Sequence, residues 1–445
     1  MEKAGIPCVL ETWDFPDIIG ITEDTFLLNG VPEIRQVLTP PDTTLTSLRE
    51  YIPEFIDALT RPLTDEEKWS GTYEPPGQPR ILMTGTYDEV QSYFEGDLTR
   101  FPVGVAPVAL MTDGQPVVPP TEDRVARMLT GTSHSPDEII EIKHQRSGQV
   151  QYLATVEKVA INAVMAGCKP EYMPVALAMS ESNLPVGGPT DCTSGQMYVV
   201  SGPIAKEIGM NAFFEVLGPG NPANSTLGRA AALMGVNLGG CQMGVSTIGR
   251  HGDNIWGLTF AEATDRSPWE GLNVDCGFGA DESVLVNFGG AIGIMPPCSA
   301  SFQIPLDLKE FQASMPEGIE ASLEGKIGSI GLVFFTPDTA ELWKEEYGFE
   351  TMQELQDYLF DNCEITAGDM RKHYSFVHLK QRILANPPGS RTLNPDHLEL
   401  PDDALVPVFC EGPDAAKIIV TGGDGMQWGW GRSSSVKSTL IDKWR

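Results

Sequence analysis

Leu217-Gly218-Pro219-Gly220-Asn221-Pro222-Ala223-Asn224-Ser225-Thr226-Leu227-Gly228-Arg229 is the segment whose residue types and spacing best suit it to hold a ligand. It follows a short apolar run, Met197 to Val200, and leads into the small residues Ala230-Ala231-Ala232-Leu233-Met234. Glycines reach positive φ, and the first free N–H groups of a helix carry partial positive charge. A turn of this kind therefore brings backbone close to a polar or anionic group. Gly218, Gly220, Asn221 and Asn224 are the candidate binding residues, and Arg229 adds a guanidinium within the first turns. Asn224, Ser225 or Thr226 is expected to cap the helix. The same composition also suits a tight, well-capped αβ connection. No Gly-Lys-Ser/Thr follows, so this is not a P-loop, and the glycine spacing fails the dinucleotide fingerprint.

Other residues qualify for chemistry by type and context. Binding sites of open α/β sheets lie beyond the carboxyl ends of strands. Three more segments fit that position: Thr190-Asp191-Cys192-Thr193-Ser194, the Ser201-Gly202 turn, and the Gly/Trp loop 422–432 with Trp428. Cys192, in a polar Gly/Pro/Thr loop, is the expected reactive thiol; the alternative is an inert loop cysteine. His251, within Arg250-His251-Gly252-Asp253-Asn254, has the type of a general acid or base, or of a surface histidine. Glu157 and Lys158 stand at the start of an otherwise apolar helix and are candidate acid/base or electrostatic groups; a structural ion pair is the alternative. Glu262, Asp265 and Glu270 surround Pro268-Trp269 as weaker carboxylate candidates.

These residues need elements to position them. Thr155 to Cys168 reads as a helix with Thr155 as cap and Gly167 as stop. Ser135-Pro136-Asp137-Glu138 reads as a helix start, with Ser as cap and Pro at the first position. Tyr198 to Ser201 is a strand, followed by a Ser-Gly turn and a helix opened by Pro203. Thr336 opens a helix to Glu346, Thr351 caps Met352–Phe360, and Lys417 to Thr421 is a strand. Alternating strands and helices indicate an α/β fold with mainly parallel sheets flanked by helices, in two or more Rossmann-like, doubly wound units. Residues 1–62 form an incomplete α/β unit with a helical stripe at Leu45, Leu48, Ile52, Phe55, Ile56 and Leu59. Residues 63–80 read as a linker, and 81–445 as the main α/β region with the Gly-rich site. Met1 to Pro7 resembles a helix end leading at once into the strand Cys8-Val9-Leu10-Glu11. That strand lacks the preceding half of a βαβ unit, so either it sits unaided on a sheet edge or a partner polypeptide supplies its neighbour; the aggregation hazard of an exposed parallel edge favours the partner.

At 445 residues the chain can bury two or three cores, and its net charge of −31 argues against nucleic acid and anionic membrane surfaces as partners. No run of about 18 apolar residues exists and no signal-peptide core is visible, which sets the expectation of a cytoplasmic protein. The eight cysteines include no CxxC, and the six histidines no HExxH. No cofactor is evident; a metal site is left only to ligands far apart in sequence.

Several of these segments together resemble the UGSC-motif family, whose members carry a selenocysteine- or cysteine-Gly-Ser-Cys motif. The resemblance rests on Thr155 to Cys168 with Lys169-Pro170-Glu171-Tyr172, on Ser201-Gly202-Pro203-Ile204 with Glu207-Ile208-Gly209, and on Leu217 to Arg229. Ser267-Pro268-Trp269-Glu270, Tyr358-Leu359-Phe360 and the final Gly-rich strand are similar as well. In that family the motif precedes a strand like Gly5-Ile6-Pro7-Cys8-Val9; here no Cys-Gly-Ser-Cys occurs. The resemblance thus implies that a separate small CGSC-type subunit carries the motif and that the reaction is thiol-dependent reductive chemistry. The resulting expectation is the large subunit of a hetero-oligomeric enzyme acting on a small polar or anionic substrate. A metal-dependent lyase or hydrolase using Cys, His and carboxylate ligands is the alternative enzyme, and a non-catalytic scaffold subunit the alternative from another class.

Overall fold

Threonine and glycine set several helix ends where the spacing predicts them. A computed structural model describes residues 8–14, 19, 34–40, 43, 46–68, 80–95, 111–113, 115–144, 151–182, 196–216, 218, 220–239, 258–289, 292–295, 330–362, 364–368, 401–407, 416–422, 428–433 and 435–445. The first unit pairs β1 (Val9–Trp13) with β2 (Arg35–Thr39) in parallel, followed by α1 (Ile52–Thr60) and the short α2 (Asp65–Lys68). α2 falls in the expected linker yet is tied to the strands, since Arg35 donates to both Glu67 oxygens at 2.8 and 2.7 Å. That guanidinium holds the Glu67 carboxyl down at about 2. Thr64 and Glu67 close a capping box, with Glu67 N donating to Thr64 Oγ1 at 3.1 Å and Thr64 N to Glu67 Oε2 at 2.6 Å.

Next come α3 (Tyr87–Glu95), α4 (Glu122–Met128) and an antiparallel hairpin of β3 (Ile139–His144) and β4 (Gln151–Thr155). The helix expected at Ser135-Pro136 is instead a turn, closed by Glu138 N donating to Ser135 O at 3.0 Å. Its capping residues are genuine turn formers, but the β-branched Ile139-Ile140 that follow extend into β3. Thr155 then caps α5 (Val156–Ala166), accepting from Lys158 N, and Gly167 ends it in the left-handed region at φ 87.

The main body contains α6 (Met173–Glu181), β5 (Gln196–Ser201), α7 (Ile204–Glu207), α8 (Pro222–Asn237), β6 (Leu258–Ala261), α9 (Leu272–Asp275), β7 (Val284–Gly289) and β8 (Ile292–Met295). After these run β9 (Ile330–Phe335), α10 (Pro337–Tyr347), α11 (Met352–Asn362), the pair β10 (Glu364–Thr366) and β11 (Leu405–Pro407), β12 (Ala416–Val420), β13 (Trp428–Ser433) and β14 (Ser435–Leu440). Two four-stranded sheets result, in the orders β14-β7-β5-β6 and β12-β9-β13-β8. Each contains one parallel pair made through helices: β5–β6 across α7 and α8, and β9–β12 across α10 and α11. The neighbours β7, β14, β13 and β8 pair antiparallel, so both sheets are mixed.

Strand periodicity distributes the core. Tyr198 and Val200 of β5 face the helical layer of α5, α6 and α8 with Ala163, Leu177 and Leu227. Met197 and Val199, pointing the opposite way, join Phe260, Val286 and Phe288 against Leu332, Phe334 and Ile419 of the second sheet. On the second sheet's far face Phe335 packs on Trp343 of α10, ring centroids 4.4 Å apart. The order is helices, sheet, sheet, helices. β5, β7 and residues 332–335 of β9 are buried on both faces, which explains why they read as near-continuous apolar runs rather than as alternation.

Candidate functional site

The carboxyl ends of four parallel strands meet at one edge of the two sheets. Beyond β6, Ala263 N donates to Val420 O of β12 at 2.8 Å, while Thr421 Oγ1 donates to Ala261 O at 2.9 Å. Thr421 N donates to Phe335 O at the end of β9 at 2.7 Å, and Glu262 N to Val200 O of β5 at 2.9 Å. Gly422 N reaches Ala212 O at 3.0 Å, which brings the 211–218 loop to the same edge.

A buried polar cluster lies there. Ser201 ends β5 with its Oγ in hydrogen-bond contact with Glu262 Oε2 at 2.6 Å; Asn273 N donates to Ser201 Oγ at 3.1 Å. Leu272 N, the first amide of α9, donates to the Glu262 carboxyl at 2.8 and 3.1 Å. Glu262 is 3% exposed, and burial pushes its carboxyl up to about 7, against the hydrogen bonds from Ser201 and Leu272; nearby Asp275 pushes the same way as burial. Asp275 in turn pairs with Lys417 Nζ at 2.9 Å, and Gln356 Nε2 donates to Asp275 Oδ1 at 3.1 Å. Such a group, neutral or ionised within reach of neutral pH, has the property a proton-transfer residue needs.

The sequence-derived candidates divide around this edge. Ser201 is a member of the cluster. Gly202 is required by geometry: its φ is +101, and a Cβ there would lie 2.4 Å from Glu282 O. At Gly218 a Cβ would clash with the flexible end of the exposed Glu215 side chain, which can move aside, while Gly220, at φ +94, has open space. Asn221, not Asn224, Ser225 or Thr226, occupies the cap position of α8, and its side chain makes no cap hydrogen bond. Asn221 Nδ2 instead donates to Glu215 O at 2.7 Å and Gly218 O at 3.3 Å. Asn224 accepts from Asn211 N at 3.0 Å and donates to Asn211 O at 3.0 Å. Both asparagines therefore brace the loop that shapes the edge. Glu215 adopts a left-handed φ of 52 in this loop.

Arg229 faces elsewhere. It holds Asp113 in a fork at 2.9 and 3.0 Å and donates to Pro116 O at 2.7 Å, clamping the 111–117 strap onto α8. Expected to bind an anionic group, its guanidinium has an internal carboxylate as partner. Glu157 and Lys158 are separated from the Gly-rich turn as well. Asn162 of α5 accepts from Asn237 at the far end of α8 at 2.7 Å, whereas Gly167 lies beside Thr226 near its start. The two helices thus run antiparallel, and sixteen residues of α8, about 24 Å, separate the levels of the two groups. Glu157 accepts from exposed Arg80 at 2.8 Å; burial lowers the Lys158 ammonium below its usual range. A single catalytic site does not contain both the turn and this pair.

Trp428 begins β13 opposite Phe335. Cys192 and His251 lie outside the described residues, as do Met1 to Pro7 and Cys241. Cys168 is half-buried against the core, and burial pushes its thiol up to about 12, which disfavours the reactive thiolate. Among the described residues no three His, Cys, Asp or Glu side chains gather as a metal site, and no helix is long and apolar enough to cross a membrane.

Asn273, Asp275 and Lys417 escaped the sequence reading. A lysine within Ala416-Lys417-Ile418-Ile419-Val420 was the available signal, since a cation in a buried strand requires an anionic partner. No family model, curated protein or solved structure matches the chain.

Proposed function

We propose that this chain is the large subunit of a hetero-oligomeric enzyme that acts on a small polar or anionic substrate at the shared carboxyl edge of its sheets. In this reading the β5–α8–β6 and β9–α10–α11–β12 units are Rossmann-like halves that each present loops at the ends of parallel strands. The Ser201-Gly202 turn, the backbone at Gly218, Gly220 and Asn221, Gly422 and the start of β13 at Trp428 line the substrate, with Glu262 below them as the proton-holding group. The convergence of those four strand ends on buried Ser201, Glu262 and Asn273 is the observation that supports it.

The reactive cysteine, in this proposal, sits on a small CGSC-type partner, and the reaction is thiol-dependent redox chemistry. The β1–β2–α1 unit supports the partner half. Two parallel strands are too few to be stable alone, and parallel sheets are normally covered on both faces. Among the described residues β1 and β2 have only each other as strand neighbours. Ile52, Ile56 and Leu59, at helical spacing on α1, are 49%, 55% and 45% exposed. An open groove of about 540 Å³ lined by Gln36, Val37, Pro53 and Asp57 lies between β2 and α1, on the other side of the helix from these residues. Purifying the Ile56→Glu variant from the native source tests this reading. The small subunit should be lost while the 48.3 kDa chain stays folded. Retention of the same partner at the same stoichiometry would remove this surface from the interface.

A further inference from the structure

The hydrogen-bond geometry around Ser201 discriminates between the two ionisation states of Glu262. A serine hydroxyl has one proton to give and two lone pairs. Glu262 Oε2 lies 2.6 Å from Ser201 Oγ, Asn273 Oδ1 lies 3.1 Å from it, and the Asn273 amide N lies 3.1 Å from it. The Asn273 side chain is fixed in orientation, because its Nδ2 donates to Gly279 O at 3.0 Å and to Glu282 O at 2.9 Å. Its oxygen therefore faces Ser201. With Glu262 ionised, two acceptors compete for the single serine proton and Asn273 Oδ1 is left short. With Glu262 neutral, the carboxyl donates to Ser201, Ser201 donates to Asn273 Oδ1, and the Asn273 N–H donates to Ser201. Every contact of Ser201 then has one proton and one acceptor, and Leu272 N–H keeps Glu262 Oε1 as its acceptor at 3.1 Å.

The chain on both sides of Glu262 is stitched to the second sheet. Ala261 O accepts from Thr421 Oγ1 and Ala263 N donates to Val420 O, so residue 262 cannot move without pulling on β12. The groups around the carboxyl are Ser201 from β5 and Leu272, Asn273 and Asp275 from α9, with Thr421, just past β12, on the Ala261 carbonyl, and with Lys417 of β12 and Gln356 of α11 reaching Asp275. The one cation among them, Lys417, is paired with Asp275 at 2.9 Å. An ionised Glu262 would face Asp275 across the same buried junction.

We propose that Glu262 in its neutral-acid form latches the junction between the two four-stranded sheets, and that the junction loosens as its proton passes to solvent base. The latch belongs to the single chain and operates with or without a partner subunit.

Two measurements on the full chain test it. The first is amide hydrogen exchange at Ala263, Thr421 and Leu272, corrected for intrinsic exchange. Taking the carboxyl near 7 in the closed junction and at its ordinary 4.5 when opened to water, protection should fall about tenfold between pH 6 and pH 8. In Glu262→Gln, whose amide can donate to Ser201 as the neutral acid does, protection should stay constant over that range. Equal loss in both proteins, or no loss in the wild type, would overturn the latch. The second is an infrared titration with isotope-labelled glutamate, which needs no variant. A carboxylic-acid C=O band should persist at pH 6 and disappear by about pH 8; its absence already at pH 6 would overturn the neutral acid whatever the subunit composition.

Discussion

Lys417 offers the sharpest test of how the junction is held. It occupies an apolar strand with its side chain 4% exposed, and its Nζ lies 2.9 Å from Asp275 Oδ2, itself on a side chain 12% exposed. Two unit charges at that separation attract by about 6 kcal/mol at an effective dielectric constant of 20. Desolvating both ions cancels much of this, so the pair adds little net stability against a well-packed apolar substitute. Removing one partner is different, because the other charge stays buried. Lys417→Met should therefore cost about 3–5 kcal/mol, and Asp275→Leu a similar amount. The double variant Lys417→Met/Asp275→Leu should recover at least about 2 kcal/mol of the sum, since neither charge is then stranded. Urea unfolding, followed by tryptophan fluorescence and circular dichroism, measures all four corners of the cycle. A Lys417→Met cost below about 1 kcal/mol, or strict additivity in the double variant, would refute the buried-pair reasoning.

Other consequences follow from the same geometry. Glu262→Gln should stabilise the chain by about 3 kcal/mol at pH 8. The wild-type carboxyl, raised to about 7 in the folded state from 4.5, contributes stability that is present in full below pH 4.5 and is lost as pH rises toward 7. Thermal unfolding from pH 5 to pH 8 should show the wild type weakening relative to the variant; parallel curves would contradict the raised value. Gly202→Ala should cost several kcal/mol, because a positive φ and a Cβ 2.4 Å from Glu282 O combine, and a neutral result in denaturant unfolding would show that the turn relaxes freely. Arg229→Ala should strand the Asp113 carboxylate, whose side chain is 4% exposed, and destabilise by about 3–5 kcal/mol. Arg229→Lys should restore little of it, because lysine cannot reproduce the fork; limited proteolysis across 111–117 reads out both variants.

Elements with local signals were legible in the sequence. Thr155 and Gly167 delimit α5, Thr336 opens α10, and the strand at Lys417 lies where its apolar run puts it. Local signals misled at Ser135-Pro136, where caps suited to a helix serve a turn before β3. The antiparallel neighbour β7 has no local mark, because a strand buried on both faces shows neither direction nor partner in its composition, and β13 falls where the glycine-rich sequence predicts a loop. The site was legible only in part. Ser201-Gly202 and the Gly218–Asn221 turn announce themselves by glycine and polar content. The partnership of Ser201 with Glu262 spans 61 residues, and that of Lys417 with Asp275 depends on two sheets packing face to face. Such pairs are set by tertiary packing, and no periodicity encodes them. The antiparallel run of α5 and α8 was equally hidden, and it separates Lys158 from the turn it seemed suited to serve.

Native mass spectrometry of the untagged chain purified from its own source, after labelling reactive thiols with iodoacetamide, tests the central claim most directly. The account predicts a complex of this 48.3 kDa chain with a small Cys-Gly-Ser-Cys polypeptide, the label concentrated on that polypeptide. A chain found alone or only with copies of itself, with the label on its own cysteines, would contradict the split-enzyme account and return the chemistry to this subunit.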